Sequence, residues 1–227
     1  MTRRRKFRFR RYHANSHILI ITLPTELHES LHLELYQRYR DQLVRQDKQE
    51  TWKSMGSTTF RARGHPGGDG GEGDSTGGPE SERSGPDGWP TLVIEAGDSE
   101  SLDGLRADMR WWFSTSEHNV KIVLLAKFDH RQHQILLECW EEEAAISRPG
   151  ATTTRRAATL QPVLRQSISI SRNQGTDPIS YNVTRGALVL RFRLLYLRAP
   201  CPQEADFVIG VPDLQRYAEM VWSSVRA

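Results

Sequence analysis

The run VKIVLLAKF, residues 120–128, is apolar on both alternating faces. A strand of that kind needs cover on both sides, as at the centre of a sheet with helices above and below. Upstream, WPTLVIEAG (89–97) reads as a second apolar strand over 91–96, followed by a turn at Gly97-Asp98. Residues 101–116 then read as a helix. Leu102, Leu105, Met109, Trp112 and Phe113 form its apolar face, with Asp103, Arg106 and Arg110 off it. Helices interleaved with buried strands favour an α/β or α+β domain with a mixed sheet.

The remaining chain fits that frame. Ile18–Thr22 reads as a short strand, and residues 25–47 as a long helix with Thr25 as its N-cap. Leu27, Leu31, Leu35, Tyr39 and Leu43 recur every four residues along that helix. Trp52–Phe60, 134–140, 162–171 and 186–198 read as strands, and 212–224 as a last helix. Residues 61–90 hold ten Gly and four Pro, the composition of a flexible loop, and 147–160 read as a polar loop. At 227 residues the chain suits a single domain, 16–227, behind a basic tail, 1–15.

Charge is unevenly placed. Residues 1–11, MTRRRKFRFRR, carry seven of the 31 basic residues, leaving 24 against 28 acidic ones, a body near −4. Such a run serves as a nuclear-import signal or as an arm gripping DNA or RNA phosphates, with Phe7 and Phe9 able to stack on bases. Its bland alternative is a solvated terminus. The two cysteines, Cys139 and Cys201, form neither a disulfide framework nor a CxxC site, so a reducing, intracellular compartment is the default. No apolar run reaches the ~18–20 residues of a membrane span, and no signal peptide is evident.

Two patterns carry chemistry. His28-Glu29-Ser30-Leu31-His32 fits HExxH on a helix, which in zinc peptidases supplies two ligands and a general base. No HxxGxxH continuation follows, and a third ligand would come from a distant acid such as Glu50. The alternative is two histidines beside a leucine stripe. The second pattern is Glu95, a carboxylate closing an apolar strand. Burying it unpaired would cost on the order of several kcal/mol. With Asp74 of the segment EGDST it could share a Mg²⁺, or it could cap the following helix near Ser99–Ser101.

WPTLVIEAGDSES…WWF, VKIVLL and ILLECWEE together resemble an expanded group of fungal proteins of unknown function. That group is in turn similar to the PD-(D/E)XK restriction-endonuclease-like superfamily. MGSTTF, HESLHLELY and the segment LVLRFRLLYLRAPCPQEADFVIGVPDLQRYAEMVW extend the resemblance over most of residues 25–223. It implies an α/β/α sandwich with a mixed sheet, and Mg²⁺-dependent hydrolysis of a phosphodiester or a non-catalytic module of the same fold. On this resemblance Asp74 and Glu95 are the metal-binding acids and Glu29 an auxiliary acid. The chain departs from the motif at Gly97, where the lysine should stand. Arg106 and Arg110 stay protonated and relay protons poorly. That leaves Lys121, the preferred substitute, and Lys127 on the next strand.

Overall fold

The computed structural model describes residues 7–56, 58–62, 68–85, 88–144 and 160–225. The polar loop, apart from Leu160, and residues 1–6 of the basic run lie outside the described residues. The chain opens with β1 (Arg8–His13), β2 (Ile18–Thr22) and helix α1 (Glu26–Arg45). Four short strands follow, β3 (Trp52–Ser54), β4 (Thr59–Arg61), β5 (Gly70–Glu72) and β6 (Ser75–Pro79), then a helical turn α2 (Glu80–Arg83). The centre comprises β7 (Leu92–Gly97), α3 (Leu102–Thr115), β8 (Ile122–Asp129), β9 (Gln134–Ala144) and β10 (Leu160–Asn173). The chain ends with β11 (Ser180–Thr184), β12 (Leu188–Leu190), a turn α4 (Phe192–Leu195), β13 (Phe207–Ile209) and α5 (Val211–Ser223).

A seven-stranded mixed sheet runs β11-β10-β9-β8-β7-β6-β3. Within it only β7 and β8 pair in parallel, because α3 carries the chain across between them. Helix α1 lies on one face with α5, and α3 on the other. This is the α/β/α arrangement with a mixed sheet that the sequence led us to expect. Helix α1 forms where its stripe can be buried: Leu27, Leu31, Leu35, Tyr39 and Leu43 are all 5 % exposed or less. Each such burial contributes roughly 1.5–3 kcal/mol. Thr25 caps the helix, its Oγ1 accepting from His28 N at 3.0 Å.

Three readings of the sequence change. Trp52–Phe60 is not one strand but β3 and β4, broken at Gly56, whose φ of +56° lies in the left-handed region. Residues 186–198 are not one strand either, since β12 gives way to α4. That turn buries Phe192 and Leu195, and Asp206 accepts from Phe192 N at 2.8 Å. Within the Gly-rich segment, the described residues 70–83 hold β5, β6 and α2. Its glycines admit large neighbours: a Cβ on Gly77 would lie 2.5 Å from Trp52 Nε1 and 2.7 Å from Tyr36 Oη. Composition suggested a loop because it shows the missing side chains and hides what fills their space.

A second sheet, β2-β1-β5-β4, brings Arg8, Arg10 and Arg11 of the basic N-terminal run onto the body of the molecule. Arg11 pairs with Gly71, where a Cβ would collide with the Arg11 guanidinium and lie 2.9 Å from Trp111. The glycine is what lets a guanidinium pack there.

Candidate functional site

Alternation along β7 turns Leu92, Ile94 and Ala96 toward α1 and Val93 toward α3. Glu95 therefore faces the α3 side. It is 1 % exposed, and its Oε1 accepts from Trp112 Nε1 at 2.5 Å. Arg11 Nη2 lies 3.8 Å from the same oxygen. Glu95 does not cap the following helix. Ser101 does, accepting from Gly104 N at 3.1 Å.

Asp108, one helical turn before Trp112, accepts from Arg11 Nη2 at 2.8 Å and from Arg10 Nη2 at 2.5 Å. Arg10 also meets Glu100 at 2.5 Å. Two consecutive strand residues normally point to opposite faces. Here the β1–β2 register shifts between Phe9 and Arg11, and the bulge lets both arginines reach one carboxylate. Arg11 is 1 % exposed and its guanidinium stacks 3.7 Å from the Trp111 ring centroid.

Asp74 stands just before β6. Ser75 pairs with Ile94, so Asp74 is level with Glu95 on the adjoining strand. Asp74 Oδ2 accepts from Ala96 N at 2.8 Å and lies 3.3 Å from His28 Nε2, while Oδ1 is 3.7 Å from Arg8 Nη1. Glu29 Oε1 accepts from Arg8 Nη1 at 3.0 Å, and lies 3.5 Å from His28 Nδ1 and 3.3 Å from His32 Nε2. Glu29, Asp74, Glu95, Glu100 and Asp108 thus share Arg8, Arg10 and Arg11 of one strand.

The electrostatics follow from this crowding. Burial pushes the Glu95 carboxyl up to about 8, helped by the negative charges of Asp74 and Asp108 and opposed by Arg10 and Arg11. Burial also pushes Asp74 upward, but His28 outweighs it and holds the carboxyl below its ordinary value. Burial disfavours the charged form of His28, yet Asp74 and Glu29 raise it to about 9. Contacts from His28 and His32 hold Glu29 well below the usual carboxylate range.

The two lysines are placed differently. Lys121 precedes β8 and donates to His118 O at 2.6 Å. Glu95 is level with Leu125, so Lys121 lies four residues, about 13 Å of strand, toward the opposite end. Lys127 is paired with Gly97, the position where the resemblance leads one to expect a lysine. A Cβ on Gly97 would sit 3.3 Å from Lys127 Cδ. Lys127 Nζ donates to Asp98 O at 2.8 Å and Phe128 O at 2.5 Å, and burial lowers its pKa. In the HExxH string, His28 and His32 occupy the first two turns of α1. Glu50 is exposed in a turn beyond the far end of that helix, roughly 20 Å away along its axis.

Asp108, Arg10, Arg11 and the Trp112 indole were not identified as site residues from the sequence. Asp108 and Trp112 are spaced i, i+4, which puts them on one helix face, but Trp112 reads simply as core. The arginines read as tail because nothing local reveals that β1 joins a sheet.

No family model and no curated protein sequence matches the chain. Among solved structures, the chain is similar to the crystal structure of "a putative nuclease belonging to DUF820" from Anabaena variabilis. The TM-score is 0.48 at 10 % identity, covering 92 % of this chain and 90 % of that one. No helix among the described residues is long and apolar enough to cross a membrane.

Proposed function

We propose that the chain is a PD-(D/E)XK-like nuclease domain that hydrolyses phosphodiester bonds with Mg²⁺. The observation that carries the reading is the buried Glu95 level with Asp74, with Lys127 paired to Gly97 two residues further along. The donor set fits a hard divalent cation, which prefers carboxylate oxygens. The upward pressure on Glu95 is what added positive charge would relieve. Asp74 and Glu95 would hold the ion, which when bound supplies an acidified water and neutralises charge on phosphate. Ala96 N and His28 orient Asp74, and Trp112 orients Glu95. Lys127 takes the role first expected of Lys121, orienting the attacking water by a hydrogen bond. Glu29 is a positioning acid that holds His28 and His32. Arg3, Arg4, Arg5 and Lys6 are the part of the basic run offered to DNA or RNA phosphates, giving affinity that falls steeply with salt.

A specific observation favours a second reading, a non-catalytic binding module of the same fold. Arg8 and Arg11 already place positive charge beside Asp74 and Glu95. Cleavage of DNA and RNA by the full chain in Mg²⁺ or Mn²⁺ separates the two. The nuclease reading expects activity that falls at least 100-fold in Glu95→Gln and in Lys127→Met. Traces equal in wild type and Glu95→Gln would sink it and leave the binding module.

A further inference from the structure

The HExxH string touches the site around Glu95 through His28 and Asp74, and its side chains are also arranged about a common point of their own. His28 and His32, one turn apart on α1, are 5 % and 1 % exposed. Their rings meet edge to face with centroids 5.5 Å apart. Glu29 Oε1 lies between them, 3.5 Å from His28 Nδ1 and 3.3 Å from His32 Nε2. One donor atom from each of the three residues lies within 4.8 Å of the others. Around a tetrahedral Zn²⁺ with Zn–N and Zn–O bonds of ~2.0–2.2 Å, neighbouring ligand atoms are about 3.3–3.5 Å apart. Two of the three edges already have that length, and metal binding would draw the two imidazoles together along the third.

The outward ring nitrogens strengthen the case. A zinc-bound histidine commonly gives its other N–H to a carboxylate or another oxygen, which sets its tautomer. His28 Nε2 faces Asp74 Oδ2 at 3.3 Å, and His32 Nδ1 is 2.9 Å from Ser75 Oγ. Neither ring nitrogen of His28 makes a hydrogen bond of good geometry, although both are buried. Such a group calls for a proton held between two carboxylates or for a metal.

We propose that His28 Nδ1, Glu29 Oε1 and His32 Nε2 bind one Zn²⁺, with Asp74 and Ser75 as the outer hydrogen-bond partners of the two imidazoles. This assigns Glu29 a ligand's place and not that of a peptidase general base. The side chain of Glu29 is 38 % exposed, so the fourth position opens toward water. Glu29 Oε1 also accepts from Arg8 Nη1 at 3.0 Å, a contact that a metal on Oε1 would displace. The site ties α1 to the start of β6; it shares Asp74 with the nuclease reading but needs neither Glu95 nor Lys127.

The test is zinc titration of the metal-stripped full chain, read by bound-metal analysis and by the visible spectrum after Co²⁺ substitution. One equivalent is expected in the wild type and in Glu95→Gln, with at least 100-fold weaker binding in His28→Ala, His32→Ala and Glu29→Gln. Wild-type protein that binds no zinc, or folded His28→Ala and His32→Ala that bind it unchanged, would overturn the proposal. X-ray absorption of the zinc-loaded wild type makes the test independent of variant folding. Two imidazoles at about 2.0–2.1 Å and no sulfur are expected. A sulfur shell would assign the metal to the exposed Cys201, and an all-oxygen shell to carboxylates alone, and either would overturn it. Loss of cleavage with retention of zinc in Glu95→Gln keeps the two readings apart.

Discussion

Glu95 concentrates the tension of the site, because burial and two neighbouring carboxylates all favour its protonated form. Its folded value, about 8, lies above the ordinary 4.5. The stability associated with its proton is therefore fully present below about pH 4.5 and is lost as pH rises through about 8. Glu95→Gln removes that dependence while keeping an acceptor for Trp112. We expect the variant to gain on wild type across this window by an amount on the order of a few kcal/mol. Denaturant unfolding at pH 5 and pH 9 measures it, and a pH-independent difference would assign the titration elsewhere. The sequence announced the anomaly at this residue, a carboxylate ending an apolar strand. It could not announce the partners, since Trp112, Arg11 and Asp108 reach Glu95 only across layers.

Among the elements, β1 departs most from its sequence. Read alone it is a charged run suited to water. In the fold its bulge points Arg10 and Arg11 at Asp108, and Gly71 opposite makes room for the Arg11 guanidinium. Truncating one member of a buried charge cluster leaves the others uncompensated. Arg11→Met should cost about 3–5 kcal/mol. Asp108→Asn added to it should recover part of the loss, a coupling of about 0.5–3 kcal/mol in a double-mutant cycle of unfolding free energies. Strict additivity would mean that the two side chains do not share an interaction. Elements with a clear period were legible by contrast. The stripe of α1, the two-faced β8 and the face of α3 follow from hydrophobic spacing, which local chemistry dictates. β5, β6 and α4 were not, because their residues are small or are held by distant partners.

For the whole molecule, the charge clusters predict a stability curve with two limbs. Glu29 and Asp74 are held below their ordinary values, so their contribution is present above about pH 4 and lost as pH falls through the folded values. His28 acts in the opposite sense. Raised to about 9, it contributes fully below 6.5 and loses that contribution as pH rises through 9. With Glu95 also losing its contribution above about pH 4.5, maximum stability should fall near that pH, and His28→Asn should flatten both limbs in thermal unfolding across pH 3–10. An unchanged acid limb would mean that other carboxylates govern it. The sequence by itself determined the alternation of helices and strands, the buried core stripes and the presence of a carboxylate where apolar side chains belong. These depend on periodicity and on the cost of burial, both local. Only the tertiary structure decided that a basic N-terminal strand neutralises that carboxylate's surroundings, that Lys127 stands beside Gly97, and that two histidines of one helix face Asp74 and Ser75. Each of those depends on sheet register and side-chain reach between segments far apart in the chain, which no local pattern encodes.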